Sequence, residues 1–183
     1  MGRSVFYTAA TLDGFLADEH DSLDWLMSQD IDPEGAFSYS AFIDRVGALA
    51  MGATTYQWVL DHLEQTGGWS YTQPCWVFTH RRFPEPPGDV RFVSGAVAEV
   101  LPELRAAAGE RELWVVGGGD LAAQFAEAGA LDEIEVSLAP VVLGAGRPLF
   151  PRRYDLELLE LDRNRAFACA RYRVVGPRAA PVP

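Results

Sequence analysis

The residues best suited to chemistry in this chain fall in one stretch, Leu113-Trp114-Val115-Val116-Gly117-Gly118-Gly119-Asp120-Leu121-Ala122. The apolar, β-branched run predicts a buried strand, and Leu121, Ala122, Phe125 and Ala126 carry a helical pattern directly after it. Three glycines between strand and helix remove side chains, so that main-chain N–H groups can approach a ligand closely. The helix start adds unpaired donors and a partial positive charge, which together suit a phosphate or diphosphate. The same glycines also fit a tight turn that needs only unusual backbone angles.

Three further segments put polar groups at strand ends. Met51-Gly52-Ala53-Thr54-Thr55-Tyr56 closes the apolar run Ala48-Leu49-Ala50 and opens a helix. Val77-Phe78-Thr79-His80-Arg81-Arg82 ends in a hydroxyl, an imidazole and two guanidiniums; a solvated loop pair is the lesser alternative for Arg81 and Arg82. Thr11-Leu12-Asp13-Gly14-Phe15-Leu16-Ala17-Asp18 follows the first strand with carboxylates and a turn.

The elements that must position these groups alternate. Strands are predicted at 3–9, 48–52, 75–79, 90–93, 112–116, 132–139, 155–161 and 167–175, and helices at 36–45, 54–63, 97–108 and 120–128. Pro102 is awkward inside the third helix and predicts a later start for it. Strand–helix alternation through residue 139 predicts an α/β domain with a largely parallel sheet. The polar link 162–165 predicts a C-terminal antiparallel hairpin. One domain over 1–176 is expected, with a disordered Pro- and Ala-rich tail at 177–183.

Composition narrows the chemistry. A formal net charge of −11 argues against nucleic acid or an anionic membrane as main partner. All 15 basic residues are arginine, which removes Schiff-base catalysis, a lysine general base and a Walker-type phosphate loop. Cys75 and Cys169 lie apart in apolar runs, and with His20, His62 and His80 scattered no metal site is expected. Without a signal-peptide pattern or a membrane-length apolar run, a soluble cytoplasmic protein is expected. Gly117-x-Gly119-x-x-Ala122 satisfies the loose dinucleotide fingerprint, but it stands after residue 110 rather than after the first strand. A standard Rossmann domain fails on that context.

In this order and spacing the segments resemble the dihydrofolate reductase superfamily, in particular its bacterial branch containing the reductase domain of riboflavin-biosynthesis enzymes. Residues Thr11 to Leu26 are similar to that branch's "S/T-L-D-G-x-x-A-D…D-W-L" segment. Pro140-Val141-Val142-Leu143-Gly144-Ala145-Gly146-Arg147-Pro148-Leu149-Phe150 resembles its glycine-rich turn before the final hairpin. The resemblance implies a three-layer α/β/α fold around a mixed sheet of about eight strands, and NADPH across the C-terminal strand ends. It implies diphosphate contacts from Gly117, Gly118, Gly119, Gly52 and Thr55, and adenosine 2′-phosphate contacts from His80 and Arg81. Ala9, Thr54, Thr79, Val116, Asp120 and Leu121 complete the implied cofactor contacts. Two positions differ from the pattern. Ala53 stands where a basic residue is frequent, and Asp120 puts a carboxylate beside the glycines.

The implied reaction is hydride transfer to a pteridine, pyrimidine or related heterocycle, similar to 5-amino-6-(5-phosphoribosylamino)uracil reductase or dihydrofolate reductase. The candidates for managing a proton are the carboxylates near the first-strand loop, Asp13, Asp18, Asp21 and Asp24, with Asp13 and Asp24 expected to be catalytic. Phe15 and Trp25 are the expected substrate-stacking residues, and a turn residue, a helix cap and core aromatics are the alternatives. Phe15 replaces the lysine usual in the riboflavin-type enzymes, so a ribose-phosphate contact is missing. The other readings are an authentic dihydrofolate reductase and a nucleotide-binding scaffold or sensor without turnover. The resemblance also implies a homodimer, built by the final hairpin and the apolar turn Pro148-Leu149-Phe150.

Overall fold

A computed structural model describes residues 2–179, apart from the side chains of residues 65 and 66. The order is β1 (Ser4–Thr11), β2 (Phe15–Ala17), α1 (Asp24–Met27), α2 (Tyr39–Ile43), β3 (Val46–Gly52), α3 (Ala53–Asp61), α4 (Leu63–Thr66), β4 (Cys75–Phe78), β5 (Val90–Val93), α5 (Val97–Ala108), β6 (Glu112–Gly117), α6 (Gly119–Glu127), β7 (Glu133–Ala139), β8 (Arg147–Pro148), β9 (Tyr154–Asn164) and β10 (Phe167–Pro177). Eight strands form one sheet in the order β5-β4-β3-β6-β1-β7-β10-β9, and β2 pairs with β8 separately. All neighbours in the large sheet are parallel except β10, which runs antiparallel to β7 and β9.

Alternation along the strands builds a core on each face. On one, Phe6, Ala50, Val115 and Val136 pack against Leu104 of α5 and Phe125 of α6. On the other, Val5, Leu49, Met51 and Trp114 pack against Phe42 of α2 and Tyr56 of α3. Burying each large apolar side chain supplies about 1.5–3 kcal/mol, so both helical layers are held by the sheet rather than by their own propensity. The expected three-layer fold is thus present. Among the described residues no helix is long and apolar enough to cross a membrane.

Several boundaries differ from the sequence reading. The helix expected at 36–45 is cut to α2 because Phe37 has φ +56° and Ser38 caps the helix by accepting from the Ala41 N–H. The helix containing Pro102 starts at Val97, earlier than predicted, because Pro102 is solvent-exposed and the Ala98 carbonyl it leaves unpaired lies on the wet side. The hairpin link is only Arg165-Ala166, since β9 runs on to Asn164. Pairing also passes the expected domain end: β10 reaches Pro177, and the Arg178 N–H donates to the Arg153 carbonyl at 2.9 Å. Residues 180–183 of the expected tail lie outside the described residues.

The N-terminal ends of the parallel strands carry buried carboxylates covered by arginines. Arg3 bridges Glu112 at 2.7 Å and Glu133 at 2.8 Å, and Arg45 bridges Glu112 at 3.3 Å and Glu135 at 3.2 Å. Burial pushes the Glu135 carboxyl above its usual range, and Arg45 opposes that shift. This cluster ties the N-terminal ends of β6 and β7 to the segments before β1 and β3.

Candidate functional site

A cleft of about 730 Å³ opens at the C-terminal ends of β3, β4 and β6. Two helix N-termini converge on it. Gly52 and Gly118 are the N-caps of α3 and α6, and neither supplies a capping side chain. Each helix therefore presents first-turn N–H donors that its own side chains leave unsatisfied. The two starts are adjacent: a Cβ built on Gly52 would sit 3.5 Å from the Gly117 carbonyl oxygen and 3.8 Å from the Gly118 nitrogen.

The three consecutive glycines serve different ends. Gly117 has φ +146°, a conformation that disfavours any side chain. Gly118 has no heavy atom within 4 Å of a built Cβ, so its surface is open to the cleft. Gly119 is packed against the main chain, where a Cβ would strike the carbonyl oxygens of Pro148 and Leu149. The motif therefore combines a tight turn at Gly117 with main chain left open to the cleft at Gly118.

Most of the residues expected at a cofactor line this cleft: Gly52, Thr54 and Thr55 from α3, Thr79, His80 and Arg81 after β4, and Val116, Gly117, Gly118, Gly119, Asp120 and Leu121 from the β6–α6 junction. Arg81 enters no ion pair among the described residues; its main-chain N–H donates to Thr79 Oγ1 at 2.9 Å. Ala9 is not in the lining and packs beside Trp25, Ala139 and Phe167 instead.

The sequence reading held Asp21 among its candidate carboxylates but missed the rest of the opposite wall. Leu16, Ala17, Asp21 and Leu23 line it with Arg147 and Pro148, because the short strands β2 and β8 pair across the start of α6. Arg147 donates to both carboxylate oxygens of Asp21, at 2.6 and 3.2 Å, tying the 18–23 loop to β8. Trp58, Ser94 and Gly95 were also missed. Ser94 and Gly95 follow β5 as Thr79 follows β4, so the strand-end rule could have found them.

The expected catalytic carboxylates are not brought to the cleft. Asp13 accepts from Thr11 Oγ1 at 2.6 Å and from the N–H groups of Gly144 at 2.7 Å and Leu143 at 3.1 Å, clamping the β1–β2 turn to the loop after β7. The Thr11 hydroxyl, with those N–H groups, holds the Asp13 carboxyl below its usual range. Asp24 is exposed in the first turn of α1. Trp25 is buried beside Phe167 and Cys169, and Phe15 pairs with Pro148 outside the cleft lining. Among the described residues no cluster of His, Cys, Asp and Glu could hold a metal ion. Cys75 and Cys169 are both buried and free, and burial pushes the Cys75 thiol up to about 12.

Comparison with known proteins agrees with this geometry. Residues 59–171 match the family model of the RibD C-terminal domain. The uncharacterized protein YwjB of Bacillus subtilis is 31% identical over 170 residues, covering 92% of this chain and 94% of its own. A Shewanella structure provisionally named a riboflavin biosynthesis protein superposes with a TM-score of 0.80 at 26% identity, covering 94% of this chain and 99% of that one. The diaminohydroxyphosphoribosylaminopyrimidine deaminase/5-amino-6-(5-phosphoribosylamino)uracil reductase of Thermotoga maritima shares the fold at TM-score 0.64 and 16% identity, over 95% of this chain and 57% of that one. Dihydrofolate reductase of Enterococcus faecalis, complexed with NADP(H), shares it at TM-score 0.57 and 14% identity, over 94% and 96%. The chain belongs to the RibD C-terminal domain family.

Proposed function

We propose that this protein is an NADPH-dependent reductase that reduces a pteridine, pyrimidine or related small heterocycle. The observation that carries the reading is the convergence of two uncapped helix N-termini, α3 and α6, on one cleft that also holds the unpaired Arg81. The N–H groups at the starts of α3 and α6 would hold the diphosphate. Gly118 lets that group lie against the main chain, and Thr55 adds a hydroxyl donor. Arg81, with His80, would take the 2′-phosphate, since a guanidinium forks onto phosphate oxygens. When bound, the nicotinamide supplies the hydride. Val116, Leu16 and Ala17 give the cleft apolar surface that keeps water from the ring. The dihydrofolate reductase relative is complexed with NADP(H), and the Thermotoga relative is named as a reductase, which supports this reading.

A second reading, a nucleotide-binding scaffold or sensor without turnover, is favoured by one observation. The carboxylates that line the cleft, Asp21 and Asp120, are both engaged by arginines, which leaves neither as a free proton donor. A thermal-shift and fluorescence titration with NADPH, NADH and FMN, followed by NADPH oxidation against a heterocycle panel, separates the readings. NADPH at 100 times its dissociation constant should stabilise the fold by about 2.7 kcal/mol. Binding without turnover on any heterocycle would favour the scaffold, and no response to NADPH would remove both.

We further infer that two copies pair through the β9–β10 hairpin. Register places Leu161, Leu158 and Leu156 opposite Ala170, Tyr172 and Val174, on one face, and the three leucines are 66, 52 and 43% exposed. On the opposite face, Arg171 pairs with Glu160 and Arg173 with Glu157 within the hairpin. The apolar face is thereby left for a partner, and an apolar row is complementary to its own twofold copy.

A further inference from the structure

Asp120 is the second residue of α6, and its carboxylate stands in the wall of the cleft beside the N–H groups that face it. Near a helix N-terminus a carboxylate is favourable for the helix, yet it opposes any second anion placed there. The fold answers this from outside the cleft. Arg152, just after the strap that crosses α6, donates to Asp120 Oδ1 at 3.2 Å and to Glu127 Oε1 at 2.8 Å. Gln124 donates to the other Asp120 oxygen at 2.8 Å. The Asp120 carboxylate is thus held from one helical turn further along and by a guanidinium behind it.

We propose that Arg152 is a positioning residue for the diphosphate of the cofactor, acting through Asp120 to neutralise the carboxylate at the start of α6. The proposal rests on the reading of the cleft as an NADPH site. Arg152 need touch nothing in the cleft. By offsetting the Asp120 charge, it keeps the α6 N-terminus attractive to an anion. Glu127, its other and closer partner, shares the Arg152 charge from the last residue of the helix, further from the donors at the helix start.

The test is direct binding of NADPH to the full-length protein, by fluorescence, at low ionic strength. R152M should raise the dissociation constant about two- to fivefold, the range expected when an exposed charge loses its partner. D120N should tighten binding by about threefold, because the carboxylate beside the α6 donors is then gone while Arg152 stays paired with Glu127. D120N/R152M should return close to the wild-type value, and E127Q, which leaves Arg152 to Asp120 alone, should not weaken binding. At about 0.5 M NaCl the R152M effect should shrink toward nothing, which a packing defect would not do. Wild-type affinity in R152M, or a double variant as weak as R152M, would overturn the proposal. Should R152M fail to fold, D120N decides alone, and unchanged affinity there overturns it. A wild-type protein that does not bind NADPH overturns the cleft reading and this inference with it.

Discussion

Gly119 lies directly beneath the carbonyl oxygen of Pro148, with no room between them for a Cβ. Position 119 is therefore where the strap carrying β8 meets the start of α6, and the contact sets the width of the cleft between them. G119A forces main chain apart and should cost about 1–3 kcal/mol, as overpacking does. For a chain of this size that lowers Tm by roughly 2–10 °C. G52A is the control. Its added methyl would make ordinary contacts with Gly117 and Gly118, and its backbone angles of φ −81° and ψ 162° suit any residue. Thermal melts of the two variants should separate clearly, and equal losses would show that the strap yields freely.

A second expectation concerns Asp13. Its folded pKa lies below the unfolded value of about 3.9 because the ionised form accepts from Thr11, Gly144 and Leu143. The sign follows from linkage: the carboxylate contributes stability above the unfolded pKa, and the contribution is lost as pH falls through the folded one. D13N should therefore flatten the acid limb of the stability profile below about pH 4. Since Asp13 is ionised at neutral pH and lies outside the cleft, the pH–rate profile of any reductase activity should keep its shape in D13N, and likewise in D24N. A pH-dependent limb that disappears in either variant would restore that residue as the proton donor.

These two positions show what could be read from residue order. The glycine run after an apolar strand, and the polar residues after β3 and β4, mark strand ends through purely local patterns, so most of the cleft was legible. The wall built by Leu16, Ala17 and Arg147 around Asp21 was not, though Asp21 itself stood among the candidate carboxylates. Strands β2 and β8 have three and two residues, too few to show a period, and they pair across about 130 positions. The same distance hides the partner of Asp13: nothing local to Asp13-Gly14 reveals that the Leu143 and Gly144 N–H groups satisfy its carboxylate. Trp25 looked like a stacking surface because composition cannot tell a ring facing ligand from one facing Phe167.

Arg81 should decide between the two nicotinamide cofactors. With Arg147 held by Asp21, and Ala53 offering no charge, Arg81 is the guanidinium lining the cleft that is free to meet a 2′-phosphate. A charge-assisted contact of this kind is worth about 1.5–3 kcal/mol, or roughly ten- to 150-fold in affinity. R81M should weaken NADPH by about that factor and leave NADH almost unchanged. Parallel titrations of both cofactors measure the ratio directly, and equal losses would place Arg81 on the diphosphate or the fold instead.

The hairpin provides the last prediction. Its apolar row continues the core face of the sheet, where Tyr172 and Val174 pack against the central cluster, out to leucines on the edge strand. The bulge between the residues opposite Arg171 and Tyr172 keeps Leu161 on the same face as Leu158. Sedimentation at micromolar concentration should show a dimer for the wild-type chain. L158E/L161E should give a monomer, because two carboxylates would be desolvated at each copy of a self-facing row. Both leucines are more than half exposed in the single chain, so the monomer should melt within a few degrees of a wild-type sample diluted until it dissociates. A variant that stays dimeric would move the interface to another face, and a monomeric wild-type chain would remove it.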